Sequence, residues 1–314
     1  MYRIGVDLGG TNIAVGIVNE KLELVKKMSV PTGASRPAEE IVADIATLCR
    51  NVCKETGVAL EDIESIGIAT PGIANHDTGV VEYANNLPFK KFPIADLLKS
   101  NLGGNVTVKI ENDANAAAWG EACAGSAKGA KNSIMITLGT GVGGGIVIDG
   151  KVYSGFNYAG GELGHIVIEV DGAQCSCGRK GCWEAYSSAT ALIRMTNEKI
   201  EECKAQGRPT LMADTDKVSG RTACDCMRAG DAAAKEVYDK YIKYLASGLA
   251  TIINIFQPEI ISLGGGISGE GQSLIDSLLP IIRKEQYGGG LVPLTDIRIA
   301  KLGNDAGIIG AAML

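Results

Sequence analysis

The sequence predicts an α/β chain built from two related lobes. Three observations predict it: strand patterns alternate with helical ones, a strand–turn–strand unit recurs at an offset of 130, and three strands end in glycine turns. At 314 residues the chain exceeds one typical core. The expected division is a small lobe of residues 1–118 plus about 300–314, and a larger lobe of 119–299.

Residues 3–30 read as strands. Arg3–Asp7 leads into the turn Leu8-Gly9-Gly10-Thr11-Asn12, Ile13–Val18 returns, and Leu22–Val30 follows. Pro37 opens a helix whose apolar side carries Ile41, Val42, Ile45, Leu48 and Val52, and Gly57 stops it. Ile66–Ala69 is a buried strand ending at Pro71-Gly72. Val106–Ile110 is another, running into Glu111-Asn112-Asp113, after which Ala114–Ala124 is helical. Ile134–Leu138, the turn Gly139-Thr140-Gly141 and Gly145–Lys151 form a second strand–turn–strand unit. Laid over the first, Asp7-Leu8-Gly9 meets Thr137-Leu138-Gly139, and Ile17-Val18-Asn19 meets Val147-Ile148-Asp149. Helices are expected at about 187–205, 231–256 and 271–285, strands at 260–263 and 296–301, and a glycine-punctuated helix at the C-terminus.

Bulk properties exclude several classes. A net charge of −6 with no basic run argues against nucleic acid as a partner. No window reaches membrane-span length without charge, and Met1–Gly5 enters a strand without signal-peptide organisation. Nine cysteines in that context indicate a reducing cytoplasm. The apolar C-terminal helices leave room for a homodimer interface.

Four of the possible metal ligands cluster. Cys175, Cys177 and Cys182 lie close together with His165 ten residues upstream, the set that closes a structural tetrahedral zinc site. Gly178 and Gly181 let the backbone wrap round a small ion. Cys49, Cys53, Cys123 and Cys203 read as small core hydrophobes, and Cys224 and Cys226 have no partner nearby. Glu162 and Glu184 bracket the cluster, which suggests the floor of a polar pocket.

The glycine turns DLGGTN (7–12), LGTGVGGG (138–145) and LGGGIS (263–268) present backbone N–H groups and hydroxyls suited to phosphate. Gly139-x-Gly141-x-x-Gly144 spells a dinucleotide fingerprint, but that motif needs a helix next, and Ile146-Val147-Ile148 is a strand. Asp113, at a strand end where a helix begins, is placed to take a proton; the alternative is a helix cap.

DLGGTN, the END of 111–113, LGTGVGGG, GELGH (161–165), CSCGRKGCWE (175–184) and LGGGIS, in this order, together resemble the ROK family of sugar kinases and regulators. The resemblance implies a two-lobed, actin-like (ribonuclease-H-like) ATPase fold with an interlobe cleft, a zinc-binding loop and ATP-dependent phosphorylation of a hexose, glucose above all, at the 6-hydroxyl. It implies Asp113 as the base. Gly72, Asn86, Asn112, Glu162, His165 and Glu184 match sugar contacts. His165, Cys175, Cys177 and Cys182 match zinc ligands, the second ring nitrogen of His165 being left for a sugar hydroxyl. Gly9, Gly10, Thr11, Asn12, Gly139, Thr140, Gly141, Gly264 and Gly265 match the nucleotide loops, and Asp7 matches a holder of Mg2+ through water. The helix-turn-helix of repressor members is absent ahead of the first loop. Kinases for N-acetylmannosamine, fructose and allose share most of these motifs, so the hexose stays open. A non-catalytic sugar sensor is the rival class, against which the intact Asp113 and three unbroken loops argue.

Overall fold

The computed structural model describes residues 1–314. The chain opens with β1 (Tyr2–Leu8), β2 (Asn12–Val18), β3 (Leu24–Pro31), helix α1 (Ala38–Thr56) and β4 (Ile63–Thr70). The short strands β5 (Ile73–Asn75), β6 (Val80–Tyr83) and β7 (Lys90–Phe92) follow, then α2 (Ile94–Asn101), β8 (Thr107–Asn112) and α3 (Asp113–Ala124). Next come β9 (Ser133–Leu138), β10 (Val142–Ile148), β11 (Lys151–Val152), α4 (Glu184–Ser187), α5 (Ala189–Ala205), α6 (Thr222–Arg228) and α7 (Ala232–Phe256). The chain ends with β12 (Ile260–Gly264), α8 (Gln272–Glu285), β13 (Asp296–Ile299) and α9 (Ala306–Ala312).

The repeat seen in the sequence is a repeat of topology. One five-stranded sheet has the order β3-β2-β1-β4-β8 and the other β11-β10-β9-β12-β13, so each places its strands 3-2-1-4-5. In the first, β2 is antiparallel to β1 and β3, while β4 and β8 run parallel to β1. In the second, β10 and β11 are antiparallel, and β12 and β13 are parallel.

Two compact units emerge. Unit 1 is Met1–Met135, Gly144–Gly161 and Ala300–Leu314, and unit 2 is Ile136–Gly143 and Glu162–Ile299. Residues 119–135 and 144–161 group with unit 1, whereas a division at residue 118 puts them in the second lobe. No helix is long and apolar enough to cross a membrane.

In unit 1, α1 runs from Pro37 to a left-handed Gly57 at φ 69°, and Ile41, Val42, Ile45, Leu48 and Val52 are buried. These side chains pack with those of β2 and β3, each contributing about 1.5–3 kcal/mol by leaving water. On the other side α9 lies against β1, β4 and α3. Its approach is closer than side chains permit: a Cβ on Gly310 would overlap the Ala116 carbonyl oxygen, and one on Gly67 the Ala311 carbonyl oxygen. This is where part of the unusual stock of 42 glycines is used. Every residue of α9 is buried within the unit.

In unit 2, Trp183 is wholly buried, and a Cβ on Gly248 of α7 would overlap its indole. Its Nε1 donates to the Tyr244 carbonyl at 3.1 Å, which fixes the cysteine segment to α7. Cys224 and Cys226 are buried on α6, with the packing role of core hydrophobes.

Candidate active site

In unit 1 the first glycine turn closes on itself through Gly9 N–H donating to Asn12 O at 2.9 Å. Asp7, Gly9, Gly10, Thr11 and Asn12 line a cavity of about 470 Å³ together with Ala14, Lys27, Ser29 and Asn304. Across the sheet Asp7 pairs with Ala14, and Ala14 with Ser29, so one row of side chains forms the wall. Asn86 approaches the turn, its Cβ 3.4 Å from where a Cβ on Gly10 would lie. Burial pushes the Asp7 carboxyl up to about 6; repulsion from Asp113 adds to this, and the Lys27 ammonium opposes it. Lys27 is itself paired with Asp305 at 2.5 Å. Lys27, Ser29 and Asn304 were not legible as lining residues. The two-residue alternation of Lys27 and Ser29 on β3 puts them on one face, but nothing in the sequence marks that face as the cavity.

The END segment sits at the junction of β8 and α3. Asn112 is the N-cap: its Oδ1 accepts from Ala114 N at 2.9 Å and Asn115 N at 3.2 Å. Its Nδ2 donates to Gly72 O at 3.0 Å, which brings the Gly72 turn, at φ 93°, onto the helix start. Asp113 is the first helical residue, with Ala114 N–H donating to its Oδ1 at 2.9 Å. Burial lifts its carboxyl above the usual carboxylate range, and the Ala114 N–H and its own N–H pull it partly back. A carboxyl raised in this way is suited to accept a proton at neutral pH.

In unit 2 the second and third glycine turns come together. Gly139 N–H donates to Gly141 O at 3.0 Å, echoing the first turn. Gly265 follows Gly264 at φ 83°, and its Cβ position lies 2.5 Å from Leu138 O. Thr140 and Gly141 line a cavity of about 370 Å³ with Cys175, Ser176, Glu184 and Arg194 among others. A cavity of about 620 Å³, larger than either, lies between the end of α5 and the start of α7 and contains none of the candidates. Its Asp231 carboxylate is taken up by Thr210, Leu211, Ala233 and Ala234.

His165, Cys175, Cys177 and Cys182 bring one ligand atom each to within 4.8 Å of one another. Zinc bound at about 2.3 Å to sulfur and about 2.05 Å to nitrogen makes tetrahedral edges of about 3.8 Å and about 3.6 Å. Cys177 Sγ and Cys182 Sγ are 3.6 Å apart, and Cys175 Sγ is 3.7 Å from His165 Nδ1. The four residues fit a closed, structural zinc site. The knuckle is shaped by Cys175 N–H donating to Arg179 O at 2.8 Å and by left-handed Gly178 and Gly181. The backbone N–H of Arg179, first among several contacts, holds the Cys177 thiol below its usual range. Glu184 starts α4, its Oε1 accepting from Ser176 Oγ at 3.1 Å and its Oε2 from Val142 N at 3.0 Å. Glu162 is exposed, and its carbonyl accepts from His165 N at 3.0 Å.

The ROK family profile matches residues 3–314. The chain belongs to the ROK family. Among ROK relatives, the glucokinase of Halalkalibacterium halodurans is 39% identical, over 100% of this chain and 94% of its own length. The glucokinase of Streptomyces coelicolor is 37% identical, over 99% of this chain and 96% of its own. A solved ROK family glucokinase from Streptomyces griseus, in complex with glucose and AMPPNP, is similar with a TM-score of 0.79 and 34% identity, covering 100% of this chain and 98% of that one. The α/β ROK fold accounts for the duplicated sheet order, for the two glycine hairpins and for the Cys/His cluster.

His76, in the exposed turn after β5, reaches a buried group. His76 Nδ1 lies 3.1 Å from Glu111 Oε2, and Glu111 is buried, 3% exposed. The partners are 35 positions apart, so no local pattern announces the contact.

Proposed function

We propose that this protein transfers the γ-phosphoryl group of ATP to the 6-hydroxyl of glucose, with Asp113 as general base. Family membership and full-length kinship with glucokinases make the chain a sugar kinase, a phosphotransferase. The observation that carries the finer reading is Asp113 itself: a half-buried residue whose carboxyl has a raised pKa, at the first position of α3, where Asn112 supplies the cap. Phosphoryl transfer asks chiefly for alignment and charge neutralisation, and a sugar hydroxyl needs one carboxylate to take its proton as it attacks. In this reading the hydroxyl proton passes to Asp113, the new oxygen–phosphorus bond forms, and ADP leaves.

The phosphates of ATP are assigned to Gly9, Gly10, Thr11, Asn12, Gly139, Thr140, Gly141, Gly264 and Gly265. Lys27 adds a cation beside the first of these turns. Asp7 is the residue that would hold Mg2+, an ion that neutralises phosphate charge when bound. The sugar is assigned to Gly72, Asn86, Asn112, Glu162, His165 and Glu184. With Nδ1 of His165 toward Cys175, its Nε2 is left to donate to a sugar hydroxyl. Zinc on His165, Cys175, Cys177 and Cys182 supplies a rigid frame rather than chemistry.

The test is ADP release across glucose, N-acetylmannosamine, fructose and mannose, with the product's phosphate position read by NMR. Glucose is expected to be fastest and to carry phosphate at O6. Faster release with another hexose would replace the substrate, and binding of sugar without any ADP release would leave a sensor.

A further inference from the structure

The END segment itself opens with a buried acidic side chain, Glu111, that the transfer scheme does not use. Glu111 Oε1 accepts from Asn112 N at 2.9 Å and from Asn115 Nδ2 at 3.1 Å. Oε2 faces His76 Nδ1 at 3.1 Å. A carboxyl group buried without partners is costly, so these three contacts are what allow it to stay there. His76 immediately follows β5, and the other end of that strand is tied to the same segment through Asn112 Nδ2 and Gly72 O.

His76 is braced in turn. Its ring stands edge-on to Tyr158, with centroids 4.9 Å apart and an interplanar angle of 80°. The Tyr158 hydroxyl donates to Asp77 Oδ2 at 2.5 Å. Tyr158 holds φ 62°, a left-handed conformation that a bulky side chain rarely adopts. Strain of this kind persists only where surrounding contacts hold it, and it gathers at functional sites.

We propose that His76 and Glu111 act as a positioning pair for Asp113, with Tyr158 as the brace on His76. Glu111 grips the Asn112 N–H, Asn112 caps α3, and Asp113 is the next residue, so the pair fixes the peptide from which the base projects. The proposal rests on the reading of Asp113 as the base.

The test is steady-state kinetics on the full chain, with melting temperature alongside, for Glu111→Gln, His76→Ala, their combination and His76→Asn. Small misplacement of a catalytic group is costly in rate, so each single change is expected to lower kcat about tenfold, with KM for glucose and ATP within about twofold. The combination should be no slower than the slower single change, because both break one contact. The amide of His76→Asn offers an N–H near the Nδ1 position and should restore most of kcat. Full turnover in His76→Ala, multiplying effects in the combination, or no recovery in His76→Asn would each overturn the pair. His76 is half-exposed, its side chain 41% accessible, so if Glu111→Gln does not fold the two His76 variants decide. Asp113→Asn separates the two claims: if it keeps normal turnover the base assignment falls, and if it is inactive while His76→Ala is fully active only the pair falls.

Discussion

Asn112 and Asp113 divide the work at the start of α3: Asn112 takes the cap, with Ala114 N–H 2.9 Å from its Oδ1, and half-buried Asp113 keeps a carboxyl of raised pKa. An aspartate at a strand–helix junction is usually itself the cap. Here the neighbouring amide does that and also holds Gly72, so that of the Asp113 carboxyl only Oδ1 is engaged, by Ala114 N–H.

Asn112→Ala should therefore cost about 1–2 kcal/mol of stability, from the lost cap and the released Gly72 carbonyl. Asn112→Asp, which keeps the acceptor, should lose less. Urea midpoints compare the two, and a wild-type midpoint for Asn112→Ala would show that the cap contributes nothing.

Asp7 gives a prediction with a definite sign. Its folded pKa, about 6, is above the ordinary 3.8, so the folded state binds this proton more tightly than the unfolded chain. The stability contributed by protonation is present below about pH 4 and is lost as pH rises through about 6. At pH 7.5 the ionised Asp7 then costs up to about 3 kcal/mol, the equivalent of the shift. Asp7→Asn should be more stable than wild type at pH 7.5, with the gain fading toward pH 4, while turnover falls. A variant equally destabilised at both pH values would contradict this.

The cysteine knuckle separates two glycines. A Cβ on Gly181 would overlap the Glu169 carbonyl oxygen, and its φ is 77°; Gly178 has φ 88° but open space around its Cβ position. Gly181→Ala should release zinc to a chelator faster than Gly178→Ala. Elemental analysis of the wild type should find about one zinc per chain, and Cys177→Ser should lose it. Equal zinc retention in the two glycine variants would mean that the contact with Glu169 does not shape the site.

Much of this was legible in the chain. The glycine hairpins β1–β2 and β9–β10 followed from the offset of 130, and Pro37 and Gly57 marked α1 because their backbones can do little else. The sheet of β5, β6 and β7 was missed because three or four residues are too few to show alternation. Helix α6 was missed because it is only seven residues long and its N-cap residue, Arg221, makes no side-chain cap. The His76–Glu111 contact and the lining by Asn304 join residues far apart in the chain, and only the folded backbone brings them together.

The most direct measurement is turnover and glucose affinity of Asp113→Asn beside wild type, by ADP release and calorimetry. Loss of the general base predicts kcat lower by ~10²-fold or more, with glucose binding changed little. Near-normal turnover in that variant would contradict the central claim.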